Sequence, residues 1–393
     1  MHARQSSLLK NTTTLILALL LVSGCSSLPE PKYPPKPLPD HSDTASLQKQ
    51  WQDHSGYGER WRGYDLQPAL DSQLLISGDT QGYLQAFDLD GGFLNFNKTL
   101  WTQELGVGIS ASLTLENKKL FVVTQNGELL ALNARTGEHL WQSELSSEAL
   151  SPPQVQGNLA VVQTADGKLT AFTADTGRQL WSFDSLTPSL TLRGTASPTL
   201  TSTQVLAGFA NGKLYAVDNS SGQVNWDAQI AQPQGRTDIE RLVDIDGQAQ
   251  VADGLLIVNS YQGQTRALDP FSGRSRWSQD ISSFHPPLID RGRAFIVDEA
   301  SRIHALDLAS GSSLWEQDAL FGRELTAAVM LSGQLVVADY QGFLHLLNPD
   351  TGEVTGRQAF DLDGIRSTPV VYQDRLLVHS IRGRLGLFTL KKD

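Results

Sequence analysis

The sequence predicts an all-β chain folded as an eight-bladed β-propeller of four-stranded antiparallel blades. Three observations carry this. A frame recurs along the chain from Trp51 to the C-terminus, tight-turn dipeptides occupy fixed places within it, and a tryptophan closes most copies. The clearest copies are QNGELLALNARTGEHLW (125–141), ADGKLTAFTADTGRQLW (165–181), ANGKLYAVDNSSGQVNW (210–226), YQGQTRALDPFSGRSRW (261–277) and EASRIHALDLASGSSLW (299–315). The frame loosens in TQGYLQAFDLDGGFLNFNKTLW (80–101), where the second turn is longer. It loses its tryptophan to Gly356 in YQGFLHLLNPDTGEVTG (340–356), and is partial in IRGRLGLFTLKKD (381–393). The frame-setting residues are Gly82, Gly127, Gly167, Gly212, Gly263, Ser301, Gly342 and Gly383, spaced 38 to 51 residues apart. That period is the length of a propeller blade, as in WD40-like repeats, and eight copies give eight blades.

Within a copy each element has a local cause. An apolar run such as Leu120 to Val123 reads as a strand. Asn126-Gly127, Asp166-Gly167 and Asn211-Gly212 supply a hairpin turn that needs positive φ. Leu129, Ala131 and Asn133 then alternate with a period of two, the signature of a second strand. Thr136-Gly137 and Thr176-Gly177 make another turn, and the tryptophan opens an outer strand. Four short strands per copy make one blade. Small alanines at 86, 131, 171, 216, 267 and 305 allow close approach of neighbouring sheets. The tryptophans at 101, 141, 181, 226, 277 and 315 are expected as knobs between blades, each burying a large ring. A blade alone cannot bury both of its faces, so the ring must close. The last copy ends without an outer strand, and WQDHSGYGERWRGY (51–64) is expected to supply it.

Upstream of the repeats, residues 1–24 read as a signal peptide. Arg4 and Lys10 precede an apolar run, Leu15 to Val22, that is too short to span a bilayer. The run ends in LVSGC, with small residues just before Cys25. Prolines 29, 31, 34, 35, 37 and 39 follow, which lock the backbone and remove amide donors, so this stretch is expected to be extended and unpaired. Residues 25–50 then form a tether with a reach of roughly 80 Å, and 51–393 the propeller.

Composition narrows the functions available. Hydrophobic residues make up 40% and charged residues 19% of the chain, as in soluble globular proteins. A formal net charge of −11 disfavours nucleic acid as a main partner, and loss of the leader removes two bases and no acid. Cys25 is the only cysteine, which excludes an internal disulfide, a CxxC redox site and a cysteine nucleophile. His139, His285, His304, His345 and His379 fall in different copies without ligand spacing. His304 and His345 share one repeat position and are expected on a blade face. There is no G-x-S-x-G, P-loop or EF-hand frame, and no acid–base carboxylate pair. No catalytic residue, metal or cofactor is expected.

The informative departures are two insertions. SFDSLTPSLTLRGTAS follows Trp181, and a longer segment containing GRTDIERLVDIDGQAQ follows Trp226. Equivalent connections of a propeller lie on one face and consecutive blades are neighbours, so the insertions should form one patch. It would combine Leu190, Leu192 and Leu242 with Arg193, Glu240, Arg241, Asp244 and Asp246. Such a mixture suits a protein-binding site. It suits equally a pair of loops stapled to each other by Arg–Asp pairs.

Resemblances to known families add to this reading. The charged start, apolar run and small residues before Cys25 resemble the bacterial lipobox. That implies lipidation (thioether lipid and palmitate) on Cys25, which multiplies membrane anchoring with each acyl chain. Ser26, in place of an inner-membrane retention aspartate, implies the periplasmic face of the cell outer membrane. ALNARTGEHLW and AFTADTGRQLW resemble the pyrroloquinoline-quinone (PQQ) propeller repeat, with Asn133 and Thr173 in its aspartate slot. The PQQ-dependent quinoprotein dehydrogenases that share this repeat are longer, and many stack the quinone on a cysteine pair that this chain lacks. Lipobox, Pro-rich segment and eight PQQ-like copies together resemble the BamB family, lipoprotein subunits of the outer-membrane β-barrel assembly (BAM) machinery. SLTLRG (189–194) and DIERLVDID (238–246) are the most specific pieces. The resemblance implies a non-enzymatic scaffold that binds the periplasmic POTRA domains of BamA through Leu190, Leu192, Arg193, Asp244 and Asp246. It also raises contact with unfolded outer-membrane protein precursors. A quinoprotein-like enzyme and another envelope lipoprotein scaffold are the alternatives.

Overall fold

A computed structural model describes residues 32–56, 66–89, 99–185, 196–232, 236–237 and 243–391. The chain divides into two units, Met1–Pro34 and Pro35–Asp393. Only residues 32–34 of the first are described, and Cys25 lies outside the described residues. The second unit is built from strands alone among the described residues, arranged as eight four-stranded sheets. Blades 1 to 7 cover 69–104, 114–144, 154–184, 199–229, 250–279, 288–317 and 329–359. In each of them the four strands follow one another antiparallel from the inner edge to the outer edge.

The apolar core is not central. Eight clusters of buried side chains each join two consecutive blades, and the last joins blade 8 to blade 1 through Trp51, Leu75, Phe87, Leu377 and Leu387. This is why period-two alternation is blurred in the middle strands. In Glu128–Asn133 the four inner residues are all buried, because both sheet faces meet a neighbouring blade.

The tryptophans and alanines act together. Ala131 stands opposite Trp141 across the outer strand pair, and the same pairing recurs at Ala86–Trp101, Ala171–Trp181, Ala216–Trp226, Ala267–Trp277 and Ala305–Trp315. A bulge follows each pair and turns the strand end. Each indole crosses to the next blade. Trp141 Nε1 donates to Ala174 O at 3.2 Å, and Trp181 Nε1 to Asn219 O at 2.8 Å. The receiving turn carries a glycine for two reasons. Gly177 has φ +71°, and a Cβ there would come within 2.5 Å of the Trp141 ring. The T-G of one copy and the tryptophan of the copy before it are one interlock.

Blade 8 closes the ring as the sequence expects, with a shifted boundary. Its three C-terminal strands take a fourth from the N-terminal side, Leu47–His54, paired antiparallel from Leu47↔Leu390 to His54↔Arg384. The strand thus starts upstream of Trp51, and residues 57–65 lie outside the described residues. Trp51 faces Leu387 and meets Phe87 of blade 1 edge-on at 5.3 Å, so it serves as this blade's docking tryptophan.

Two further expectations change. The stretch before the propeller is not unpaired throughout. Lys36 N donates to Phe321 O, Ser42 N to Val354 O and Ala45 N to Thr355 O. Ser301, in the glycine slot of blade 6, does not disturb its blade. It takes φ +69° as the glycines do, and its hydroxyl accepts the Leu325 amide at 3.1 Å.

Candidate functional site

Connections from an outer strand to the next inner strand share one end of the propeller with the turns led by the frame glycines; this is the loop face. The remaining turns form the opposite, turn face. The described ends of both insertions therefore lie on the loop face, one pair leading into blade 4 and one into blade 5. Leu190, Leu192 and Arg193 fall outside the described residues, as do Glu240, Arg241 and Leu242. The described parts are the residues that flank them, 196–198 and 243–249 among them.

The two bases are joined. Gln248 Nε2, in the second insertion, donates to Pro198 O at the end of the first (3.1 Å) and to Gln154 Oε1 of blade 3 (3.2 Å). Thr199 Oγ1 donates to Ala249 O at 2.6 Å. The described ends of the two insertions are thus hydrogen-bonded to each other.

Residues 243–249 are set into the propeller. Ile245 is 1% exposed and packs on Gly208, where a Cβ would come within 2.3 Å of Ile245 Cγ2. Gly247 lies against the His285 carbonyl in the same way, with 2.5 Å to a would-be Cβ. The Asp244 carbonyl accepts the Tyr261 amide of blade 5 at 2.9 Å. Its carboxyl accepts the Ile245 amide at 2.8 Å. Asp244 is 2% exposed, so it anchors the loop from beneath and does not present a carboxylate on the surface. Asp246 is half-buried.

These two carboxyls face each other. Burial first, and the Asp246 charge second, lift Asp244 from the usual carboxylate range to about 8. Burial also raises Asp246, against a hydrogen bond with Asp244. Asp244 Oδ2 and Asp246 Oδ1 are buried without a donor among the described residues, and a proton held between them supplies one. The sign follows from linkage. A carboxyl raised in the folded state binds a proton that the unfolded chain has already lost above about pH 4, so stability falls from there to about pH 8. Asp244→Asn keeps the oxygen that accepts Ile245 N and replaces the shared proton with a fixed donor. We expect this variant to melt a few degrees higher than the natural chain at pH 8, with the gap closing towards pH 4. Parallel melting curves at all pH values would refute the shared proton.

Beside this base lies a residue that the repeat pattern did not single out. Phe284 is 42% exposed and its ring lies tilted against that of His285, centroids 4.3 Å apart, on the connection that Gly247 abuts. Burial pushes His285 down to about 4, so its ring is neutral. His304 and His345, expected on a blade face, are both buried; each reaches an aspartate six residues earlier, Asp298 at 3.2 Å and Asp339 at 2.9 Å. That recurrent spacing was the signal available in the sequence. Among the described residues no group of three or more His, Cys, Asp or Glu side chains is placed to hold a metal ion.

Comparison with known proteins places the chain. A family model described as outer membrane protein assembly factor BamB matches residues 80–317. The factor of that name from Pseudomonas aeruginosa is 37% identical over 97% of this chain and 99% of its own length. That from Escherichia coli K12 is 35% identical over 95% and 97%. The crystal structure of BamB from Moraxella catarrhalis superposes with a TM-score of 0.79 at 25% identity, covering 88% of this chain and all of that one. A europium-containing methanol dehydrogenase reaches 0.70 at 13% identity, which shows a common fold alone. The assembly factors match at 35–37% identity nearly end to end, and the chain belongs to the family of outer membrane protein assembly factor BamB.

Proposed function

We propose that this protein is a non-enzymatic scaffold of the outer-membrane β-barrel assembly complex that holds BamA by its periplasmic POTRA domains and so aids folding and insertion of outer membrane proteins. Family membership supports the assembly role. The observation that carries the contact surface is the joined base of the two insertions, seated by Ile245 and Asp244 and bridged by Gln248. A loop pair fixed at its root loses less freedom on binding than one that is free. Leu190, Leu192 and Arg193 belong to the part of the patch offered to the partner. Asp246 belongs to its rim, and Asp244 to its foundation. The exposed Phe284 extends the patch towards blade 6. The relatives are named as assembly factors, and the dehydrogenases share only the fold, which favours a role without catalysis.

In the same reading residues 1–24 are a cleaved leader, Cys25 carries lipid, and the protein sits at the periplasmic face of the outer membrane. The test is capture of BamA periplasmic domains by the soluble chain lacking residues 1–25. We expect the natural chain to retain them and Arg193→Glu to lose them while melting at the same temperature. Equal capture by both would move the contact elsewhere on the propeller. No capture by either would remove the partner assignment.

A further inference from the structure

Blade 7 lacks the docking tryptophan of its siblings, and its place is occupied. Gly356 stands where the others carry tryptophan, and a Cβ there would fall within 1.9 Å of the Ala45 carbonyl. No side chain fits, because residues 36–45 run over this site. Lys36 N donates to Phe321 O at 3.0 Å on the connection between blades 6 and 7. Ser42 N and Ala45 N donate to Val354 O and Thr355 O, at the start of the blade's outer strand. Arg357 Nη2 donates to Pro39 O at 2.6 Å, and Lys36 Nζ pairs with Asp318 at 2.7 Å. The segment therefore descends the outer edge of blade 7 from the loop face to the turn face. It then reverses into Leu47–His54 and climbs blade 8.

Its supports are themselves fixed. Arg323 is 3% exposed, held by Asp339 and Gln341, and donates to Lys36 O at 3.4 Å. Arg357 Nε donates to His345 Nδ1 at 3.4 Å, and the other ring nitrogen faces Asp339. Elsewhere the residue just before the tryptophan is left open, as at Leu140, Leu180 and Leu314, which are 43%, 42% and 51% exposed. Its counterpart Thr355 is 6% exposed under the segment.

We propose that residues 36–45 are a strap that fixes the N-terminal arm to blade 7 and makes the loop face, which bears both insertions, the membrane side of the propeller. Pro35, next to Lys36, leaves the strap at the loop face. The length between Cys25 and that exit is ten residues, at most about 36 Å when fully extended, less than half the reach of the whole Pro-rich stretch. This inference rests on the lipid anchor proposed above for its membrane arm, and on the fold alone for the strap.

Two measurements on the whole protein test it. Hydrogen exchange read by mass spectrometry should show the Ser42 and Ala45 amides protected. Gly356→Trp, which restores the repeat residue, and Arg357→Gln, which frees Pro39, should each speed their exchange by about tenfold or more while Leu47–His54 stays slow. Fast exchange of 42 and 45 in the natural chain would overturn the strap. For the membrane side, a donor dye is placed on vesicle-bound protein at Leu362→Cys on the loop face or at Thr351→Cys on the turn face, both beside blade 7. Energy transfer to a lipid acceptor should be stronger from 362, and the difference should shrink in Gly356→Trp. Equal transfer from both sites would overturn the orientation. Failure of the protein to hold to vesicles would overturn the anchor and the membrane side with it, while exchange still judges the strap.

Discussion

Replacing residues 47–54 by a Gly-Ser run of equal length is expected to abolish the single cooperative unfolding transition. These residues supply the outer strand of blade 8, paired with Arg384–Leu390 from end to end with one bulge at Gln50. They also supply Trp51 and Leu47, each 7% exposed, to the clusters that join blade 8 to blades 1 and 7. Losing Trp51 alone should cost about 3–5 kcal/mol as a large side chain removed from a packed interface. Losing Leu47 and the strand's hydrogen bonds as well approaches the whole stability of a typical domain, about 5–15 kcal/mol. The ring then opens between its first and last blades. Calorimetry should show a broad, lowered or absent transition, and an environment-sensitive dye should bind the exposed blade faces. An unchanged sharp transition would mean that the blades hold without closure.

Asp339→Ala is the second large effect. Asp339 is fully buried and accepts from Arg323 Nε (2.8 Å), His345 Nε2 (2.9 Å) and the amides of Gln341 and Phe343 (both 3.0 Å). Burial by itself would raise its pKa, yet hydrogen bonds from His345, Phe343 and Arg323 and the nearby positive charge bring it below the ordinary value. Alanine would strand the buried Arg323 guanidinium, a loss of about 3–5 kcal/mol by analogy with other broken buried pairs. The expected result is a markedly lower melting temperature and weaker protection of residues 36–45, since Arg323 also holds Lys36 O. The pH sign agrees. A depressed carboxylate contributes stability that is present above the unfolded pKa near 4 and is lost as pH falls through the lower folded value. Asp339→Ala should therefore differ most from the natural chain near neutrality and least in strong acid. A variant that melts within a degree of the natural chain would show that the network contributes specificity without net stability.

Asp339 and Asp244 show opposite outcomes of burying the same group. Asp339 is met by a guanidinium, an imidazole and two amides, so its charge is kept. Asp244 is met by another carboxyl and one amide, so its charge is suppressed. The repeat places an aspartate at the head of the turn in blades 1, 6 and 7, at Asp79, Asp298 and Asp339. Asp244 belongs to an insertion and has no such pattern around it.

What the chain alone determined is whatever depends on near neighbours. Turns that need positive φ, short strands, and alanine facing tryptophan are all settled within one copy. Repeating that copy eight times specified the blades, their order and the face that carries the insertions. The interlock of Trp141 with Gly177 was present in the spacing, because consecutive copies are consecutive neighbours in space. Tertiary structure decided what joins residues about three hundred positions apart. The closing strand begins at Leu47 because it pairs with Leu390, not because its own residues mark a start. Gly356 looked like a lapse in the repeat until Ala45 was found against it. Asp244 looked like a surface charge beside Asp246, and the seat of Ile245 on Gly208 turned it inward. Local chemistry writes periodicity into a sequence, whereas burial and charge depend on which distant segment arrives, and that is fixed only when the ring closes.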